Sequence, residues 1–209
     1  MTDLSLLLAF VAAATVLTLT PGVDTVMVLR SVASRGRLTA ALAAIGIALG
    51  CLVWGAAVAV GLGALLRTSE LAYTVLKWAG AGYLLWQGGK LLLAPRQALS
   101  ITASGGDSAA GREAFRRGLL TNLLNPKVGV FYITFLPQFV PAAANVAWHT
   151  FFLAGLHVLL TLLWFALLIM ATAPLGKVLR QPAAVRVLDR LTGVVFVAFG
   201  IKLAASSAR

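Results

Sequence analysis

The feature that most restricts the fold is the stretch 38–66, which contains no charged residue. A helix needs about 20 consecutive apolar residues to cross the ~30 Å hydrocarbon core of a bilayer, and this stretch is longer than that. Apolar residues make up 60% of the chain and charged residues 11%, so polar side chains are too few to cover a soluble domain. The sequence therefore predicts an all-α polytopic membrane protein with no separate soluble domain.

Apolar runs separated by short polar or basic stretches predict six transmembrane helices. Their expected bounds are 4–29, 38–66, 71–93, 115–140, 147–173 and 191–205. The small, polar stretch 100–108 is the one segment typical of a linker. We therefore divide the single domain, 1–209, into a three-helix half at 1–94, a linker at 95–114 and a second three-helix half at 115–209.

The distribution of the 17 Lys and Arg residues predicts an orientation. Most of them lie in the stretches that follow spans 1, 3 and 5, and the positive-inside rule makes these loops cytoplasmic. Both termini are then expected on the periplasmic side. The net charge of +11 comes largely from these loops, so we interpret it as a signal of topology and predict no nucleic-acid binding. With a single Cys51, neither a disulfide nor a cysteine metal cluster can form within the chain.

Two of the spans contain a proline next to an ionisable side chain. Span 1 is interrupted at Pro21 and span 4 at Pro126. Proline removes a backbone hydrogen bond and frees a carbonyl one turn earlier, and a Lys inside a bilayer costs about 3 kcal/mol on insertion scales. Ionisable residues within a membrane mark function by default, although a structural ion pair between Asp24 and Lys127 is an alternative. The predicted substrate-binding residues, which suit a small zwitterion, are Pro21, Gly22, Asp24, Asn125, Pro126 and Lys127.

The two halves of the chain resemble each other weakly. Pro21 pairs with Pro126, and Lys90 with Lys202. Since each half has three spans, the halves would lie in opposite orientations, as in the inverted repeats of many secondary transporters. Each proline is roughly 13 Å along a helix from a basic residue at the cytoplasmic boundary. Both breaks are therefore expected near the bilayer midplane.

Other polar residues within the spans allow two interpretations each. Thr18 and Thr20 are expected to bond to the carbonyls that Pro21 frees. Asn125 either caps the broken helix or contacts the ligand, and Gln138 is either an interface cap or a ligand contact. His157 is either a packed, hydrogen-bonded side chain or a proton relay. The sequence has no paired-His motif, phosphate-binding loop or nucleophile elbow, so we predict no enzyme, no metal site and no cofactor.

Four motifs together resemble the LysE/RhtB family of bacterial amino-acid exporters. They are Thr-Pro-Gly-Val-Asp-Thr at 20–25, Arg-Gly-Arg at 35–37, Leu-Lys-Trp-Ala-Gly-Ala-Gly-Tyr-Leu at 76–84, and Asn-Pro-Lys at 125–127 followed by Phe-Leu-Pro-Gln-Phe at 135–139. The similarity extends over essentially the whole chain. It implies a secondary transporter that moves amino acids out of the cytoplasm across the inner membrane, driven by protons. The family usually has a second proline where this chain has Val23, and it tolerates Asn at the position of Asp24, which is therefore only a tentative proton carrier.

Amino-acid export by alternating access is the function we expect, with neutral amino acids favoured because apolar side chains dominate the spans. Glycines in spans 2 and 3 favour close helix contacts and a homodimer. One alternative is an ion or metal exporter of related architecture, which would need clustered carboxylates, His or Cys. Another is a non-transporting scaffold subunit, which would not need two broken helices with buried charges.

Overall fold

The computed structural model describes residues 4–68, 70–95, 110–141, 144–171 and 181–205. Within these ranges every regular element is helical and there is no strand, which confirms the all-α prediction. In chain order the α-helices are α1 Leu4–Leu19, α2 Val23–Arg35, α3 Arg37–Thr68, α4 Glu70–Leu93, α5 Ala110–Leu123, α6 Pro126–Val130, α7 Val146–Met170 and α8 Pro182–Ala205. After α6 the chain continues as a π-helix, Phe131–Phe135, and a 3₁₀-helix, Leu136–Phe139.

Two pairs of consecutive helices are bent where the sequence has proline. The axes of α1 and α2 differ by 54°, and those of α5 and the segment Pro126–Phe139 differ by 51°. In the first pair Gly22 is extended, with φ −132° and ψ −166°. The bend is present although Val23 replaces the family's second proline, so Pro21 and the extended Gly22 suffice to break the helix.

Two helices in the described part of the chain are long and apolar enough to cross a membrane. They are α3, over Arg37–Gly61, and α7, over Val146–Met170. If each bent pair is one span, four described segments qualify. Helices α4 and α8 have 24 residues each, but neither combines enough hydropathy with few enough charges to qualify as a span. Six spans in two inverted halves therefore stay a prediction.

Helix boundaries differ from the expected ones in the basic stretches. The expected loop after span 1 is reduced to Gly36, whose φ of 85° glycine adopts without steric cost. Helix α5 begins within the expected linker, and α8 begins before the expected start of span 6 at 191. Basic side chains reach from a helix to the interface, so a helix can continue where the apolar run ends. The remaining linker and loop residues, 96–109 and 172–180, lie outside the described residues.

The two halves pack against each other through small residues. Helix α3 lies against α5 and α7, and α4 lies along α8. A Cβ added at Gly46 would lie 2.9 Å from the backbone N of Leu119, and one added at Gly50 would lie 2.5 Å from Asn122 Oδ1. This confirms the close backbone approach predicted for these two glycines. It also brings the end of α5 next to α2, where the two breaks meet.

An aromatic cluster fills the bundle beyond the second break. Phe131, Phe135 and Phe139 follow at intervals of four along one face, and each is 1% exposed. Their neighbouring ring centroids are 5.1 Å apart. Phe10 of α1 and Phe199 of α8 pack on the same rings. The cluster joins α1, the Pro126–Phe139 segment and α8 into one apolar core.

Candidate functional site

The side chain of Lys127 crosses from the second break to the first. Its Nζ donates hydrogen bonds of 2.9 Å to Leu17 O and to Thr20 O. Pro21 has no N–H, so the carbonyl one turn earlier, that of Leu17, is the one it leaves without a helical partner. The C-terminal end of α1 also carries a partial negative charge that favours an ammonium group. The two sequence-predicted half-sites therefore meet, and Lys127 satisfies the carbonyls at the end of α1.

Asn125 shapes the second break as a helix cap. Its Oδ1 accepts a hydrogen bond from the backbone N of Lys127 at 3.1 Å, and Pro126 occupies the first position of α6. Pro126 has no N–H to donate to the carbonyl of Asn122, four residues earlier. That carbonyl instead accepts from the backbone N of Asn125 at 3.0 Å. Of the two roles left open for Asn125, the capping role is confirmed. The side chain of Pro126 itself is exposed.

Asp24 lies in the first turn of α2 and is held from the other half of the chain. Its Oδ2 accepts a hydrogen bond of 2.9 Å from Asn122 Nδ2, which also lies 3.4 Å from Cys51 Sγ. The other carboxylate oxygen, Oδ1, is buried and has no partner in hydrogen-bond geometry among the described residues; the side chain of Asn125 also interacts with this carboxyl group. Sequence reasoning missed Asn122, which is fully buried. The one feature of the sequence that could have identified Asn122 as a site residue was its position three residues before Asn125, about one helical turn away.

Asp24 and Lys127 line one small cavity between α1, α2, α3, α5, α6 and α7. Gly22, Asn125 and Asn122 contribute to its polar wall, whereas Pro21 and Pro126 are not among its lining residues in the described chain. The apolar wall is formed by Leu17, Val128 and Phe165. The volume is about 40 Å³, and one water needs about 10–15 Å³. The structure is therefore contracted around the site, with room for a few waters only.

His157 of α7 also lines this cavity. It is 4% exposed, and its Nδ1 lies 3.0 Å from the hydroxyl of Tyr132. Its ring centroid is 4.8 Å from that of Phe131. The packed, hydrogen-bonded interpretation of His157 is confirmed. Its partner belongs to the π-helix, an irregularity that is frequent at functional sites.

Thr20 connects the first break to α8. Its hydroxyl donates to Val16 O at 2.7 Å, lies 3.4 Å from Leu188 O and contacts the hydroxyl of Thr192. Thr18 likewise donates to Ala14 O at 2.8 Å. The prediction that these threonines bond to carbonyls freed by Pro21 is wrong, because the freed carbonyl of Leu17 accepts from Lys127 Nζ instead.

Next to these contacts α8 contains Asp189, which is fully buried. Asp189 was not predicted to lie in a span, because span 6 was expected to begin after it, at 191. On the far side of the π-helix, Gln138 Nε2 donates to Thr134 O at 3.0 Å, which fits the cap interpretation of that residue.

Sequence comparison relates the chain to a family of known membrane proteins. The sequence profile of the LysE type translocator family matches residues 15–207. A leucine efflux protein of Klebsiella pneumoniae is 30% identical over 94% of this chain and 93% of its own length. A leucine efflux protein of an Enterobacter species is also 30% identical, over 93% of each chain. An uncharacterized membrane protein of Vibrio cholerae is 32% identical over 99% of this chain and all of its own. No solved structure matches the chain.

Proposed function

Because the chain belongs to the LysE type translocator family, which consists of membrane transporters rather than enzymes, we propose that it exports amino acids from the cytoplasm. Neutral aliphatic amino acids such as leucine are the proposed substrates. Two similar proteins are named leucine efflux protein, and the cavity has an apolar wall at Leu17, Val128 and Phe165. The observation that carries the proposal is the Lys127 ammonium group placed between two broken helices.

Our proposal places the chain in the bacterial inner membrane as six spans in two inverted halves, with both termini in the periplasm. The bends of 54° and 51° at corresponding prolines of the two halves support the repeat. The basic residues then lie on the cytoplasmic side. A homodimer is part of the proposal, since Gly82 and Gly89 have no atom of the described chain within 4 Å of an added Cβ and leave room for a close helix contact.

In alternating access the contracted cavity would open first on the cytoplasmic side and then on the opposite side. Separation of the halves on the cytoplasmic side would admit substrate next to Lys127 and Asp24. The aromatic cluster, which closes the opposite side, would then have to part to release it. Protons are the proposed coupling ion, and Asp24 is the proposed proton carrier because it lines the substrate cavity.

Two alternatives are weighed against this proposal. A metal exporter needs several strong ligands in one place, and the described residues contain no group of three His, Cys, Asp or Glu side chains that could hold a metal ion. A scaffold subunit needs neither an ammonium group at the cavity nor two broken spans. Both alternatives are separated from amino-acid export by measuring transport directly.

The test uses purified protein in proteoliposomes preloaded with radiolabelled leucine. Release is measured with and without an inwardly directed proton gradient, in which protons enter as leucine leaves. Wild type and Lys90→Met, a control at an exposed lysine, are expected to release leucine faster than empty liposomes, and faster still with the gradient. Lys127→Met is expected to lower the rate at least about tenfold, since the charged donor to Leu17 O and Thr20 O is lost. If wild type released none of the common amino acids, the proposed function would be wrong. Equal rates for Lys127→Met and wild type would make Lys127 structural.

A further inference from the structure

We propose that the cavity is a two-ended clamp for the charged groups of a free α-amino acid. In this clamp Asp24 Oδ1 accepts hydrogen bonds from the substrate ammonium group, and the N-terminus of α2, together with the Lys127 charge, binds the substrate carboxylate. The inference rests on the proposed function and adds to it the atoms that hold each end of the substrate.

The ammonium end is defined by the unequal surroundings of the two Asp24 oxygens. Oδ2 accepts from Asn122 Nδ2 at 2.9 Å, whereas Oδ1 is buried at the cavity without a hydrogen-bond partner in the described chain. A buried polar atom without a partner costs about 1–3 kcal/mol, so the structure retains an acceptor that a donor would stabilise. An ammonium group is such a donor and also brings the opposite charge.

Asn122 fixes which carboxylate oxygen remains open. Its own Oδ1 is packed toward Gly50, where an added Cβ would lie 2.5 Å away. A reversed amide would direct its oxygen at the Asp24 carboxylate and lose this hydrogen bond, so Nδ2 stays directed at Asp24 and Cys51. Asn122 is thus a positioning residue for the ammonium end.

The carboxylate end is defined by the start of α2. The first amides of a helix have no partner within the helix and attract anions, and Gly22, the N-cap, provides no side chain to cap them. Gly22 lines the cavity, and a Cβ added there would lie 3.9 Å from Lys127 Nζ. The second break differs, because its amide at Lys127 is capped by Asn125. Only the α2 end combines uncapped amides with a nearby positive charge at this cavity.

The spacing of the two ends suits groups carried by one carbon atom. Gly22 and Asp24 are two residues apart in the chain and line the same cavity of about 40 Å³, so the two ends are close together. The carbonyls of Leu17 and Thr20 already accept from Lys127, so they are not needed for the ammonium group. The clamp should therefore require both a free amino and a free carboxylate group, and it should reject amides, esters and N-acylated derivatives.

Competition in the reconstituted wild-type protein tests this requirement first. Unlabelled leucine, leucinamide, which lacks the carboxylate, and 4-methylpentanoate, which lacks the amino group, compete with transport of labelled leucine. Leucine is expected to compete at least about tenfold better than either analogue, because a site built around a polar group rejects ligands that lack it. If either analogue competed as well as leucine, the clamp would be wrong even though transport occurred. Absence of any amino-acid transport would instead refute the proposed function.

Two variants then assign the ends, with binding of labelled leucine to purified protein as the readout. Asp24→Asn keeps an acceptor for Asn122 and is expected to lose most of the preference for leucine over 4-methylpentanoate, while keeping the preference over leucinamide. Lys127→Met is expected to show the reverse pattern. Glu113→Gln and Lys90→Met, both outside the cavity lining, should keep both preferences. Loss of the two preferences to the same extent in each variant, or retention of both, would overturn the assignment.

Discussion

The close contact between α3 and α5 makes a quantitative prediction at Gly50. In Gly50→Ala the new methyl group would lie 2.5 Å from Asn122 Oδ1 and 2.9 Å from its Cβ. Real Cβ atoms do not approach that closely, and Asn122 is fully buried, so its side chain has nowhere to move. Either α3 and α5 separate, or the hydrogen bond from Asn122 to Asp24 is lost.

The magnitude follows from comparison with Gly61 on the same helix. Alanine is better than glycine in a helix by roughly 0.5–1 kcal/mol, and this gain is common to both positions. A Cβ at Gly61 meets no described atom within 4 Å, so Gly61→Ala is the matched control. The difference between the two variants is then the overpacking cost alone, about 1–3 kcal/mol.

Thermal unfolding in detergent measures this difference. At about 2–4 °C for each kcal/mol in a chain of this size, Gly50→Ala should melt at least about 2 °C below Gly61→Ala. Leucine transport should also fall in Gly50→Ala, because Asn122 no longer holds Asp24. If Gly50→Ala melted at or above the temperature of Gly61→Ala, the helix contact described here would be wrong.

Two further predictions concern the polar groups around the cavity. Asn125→Ala removes the cap of α6, at a cost of about 1 kcal/mol, and should slow leucine transport in proteoliposomes. Asn145→Ala removes the equivalent cap of α7, where Asn145 Oδ1 accepts from the backbone N of Trp148 at 3.0 Å, and should lower the melting temperature similarly without slowing transport. Equal transport in the two would argue against a special role for the α6 cap. Tyr132→Phe leaves the Nδ1 of buried His157 without its hydroxyl partner and should lower stability by about 1–3 kcal/mol, measured as the shift in melting temperature. An unchanged melting temperature would mean that the bond contributes nothing.

Sequence reasoning identified the two breaks because proline and an ionisable side chain are costly inside an apolar run. Pro21 and Pro126, with Asp24 and Lys127 beside them, are visible without any knowledge of packing. The boundaries of α2, α5 and α8 were less accessible, because hydropathy reports the apolar part of a helix and not the backbone that continues into basic residues. Asp189 was overlooked for the same reason.

Contacts between distant residues were beyond local reasoning. Asn122 is one amide among many polar residues in the sequence, and its importance arises from packing against Gly50 and bonding to Asp24, 98 positions away. Proline chemistry predicted a freed carbonyl near Pro21, but local reasoning could not show that Lys127 from the other half of the chain bonds to it.

The sequence by itself determined that the chain is a helical membrane protein with two broken spans and opposite charges at the breaks, because composition, apolar run length and proline chemistry are local properties. Only the tertiary structure decided which atoms of those residues meet. The ammonium of Lys127 bonds to the carbonyls at the end of α1, one oxygen of Asp24 is occupied and the other open, and Gly22 leaves the start of α2 uncapped at the cavity. These differences depend on how closely α3 and α5 pack and on where each helix ends, and both are set by contacts between residues far apart in the chain.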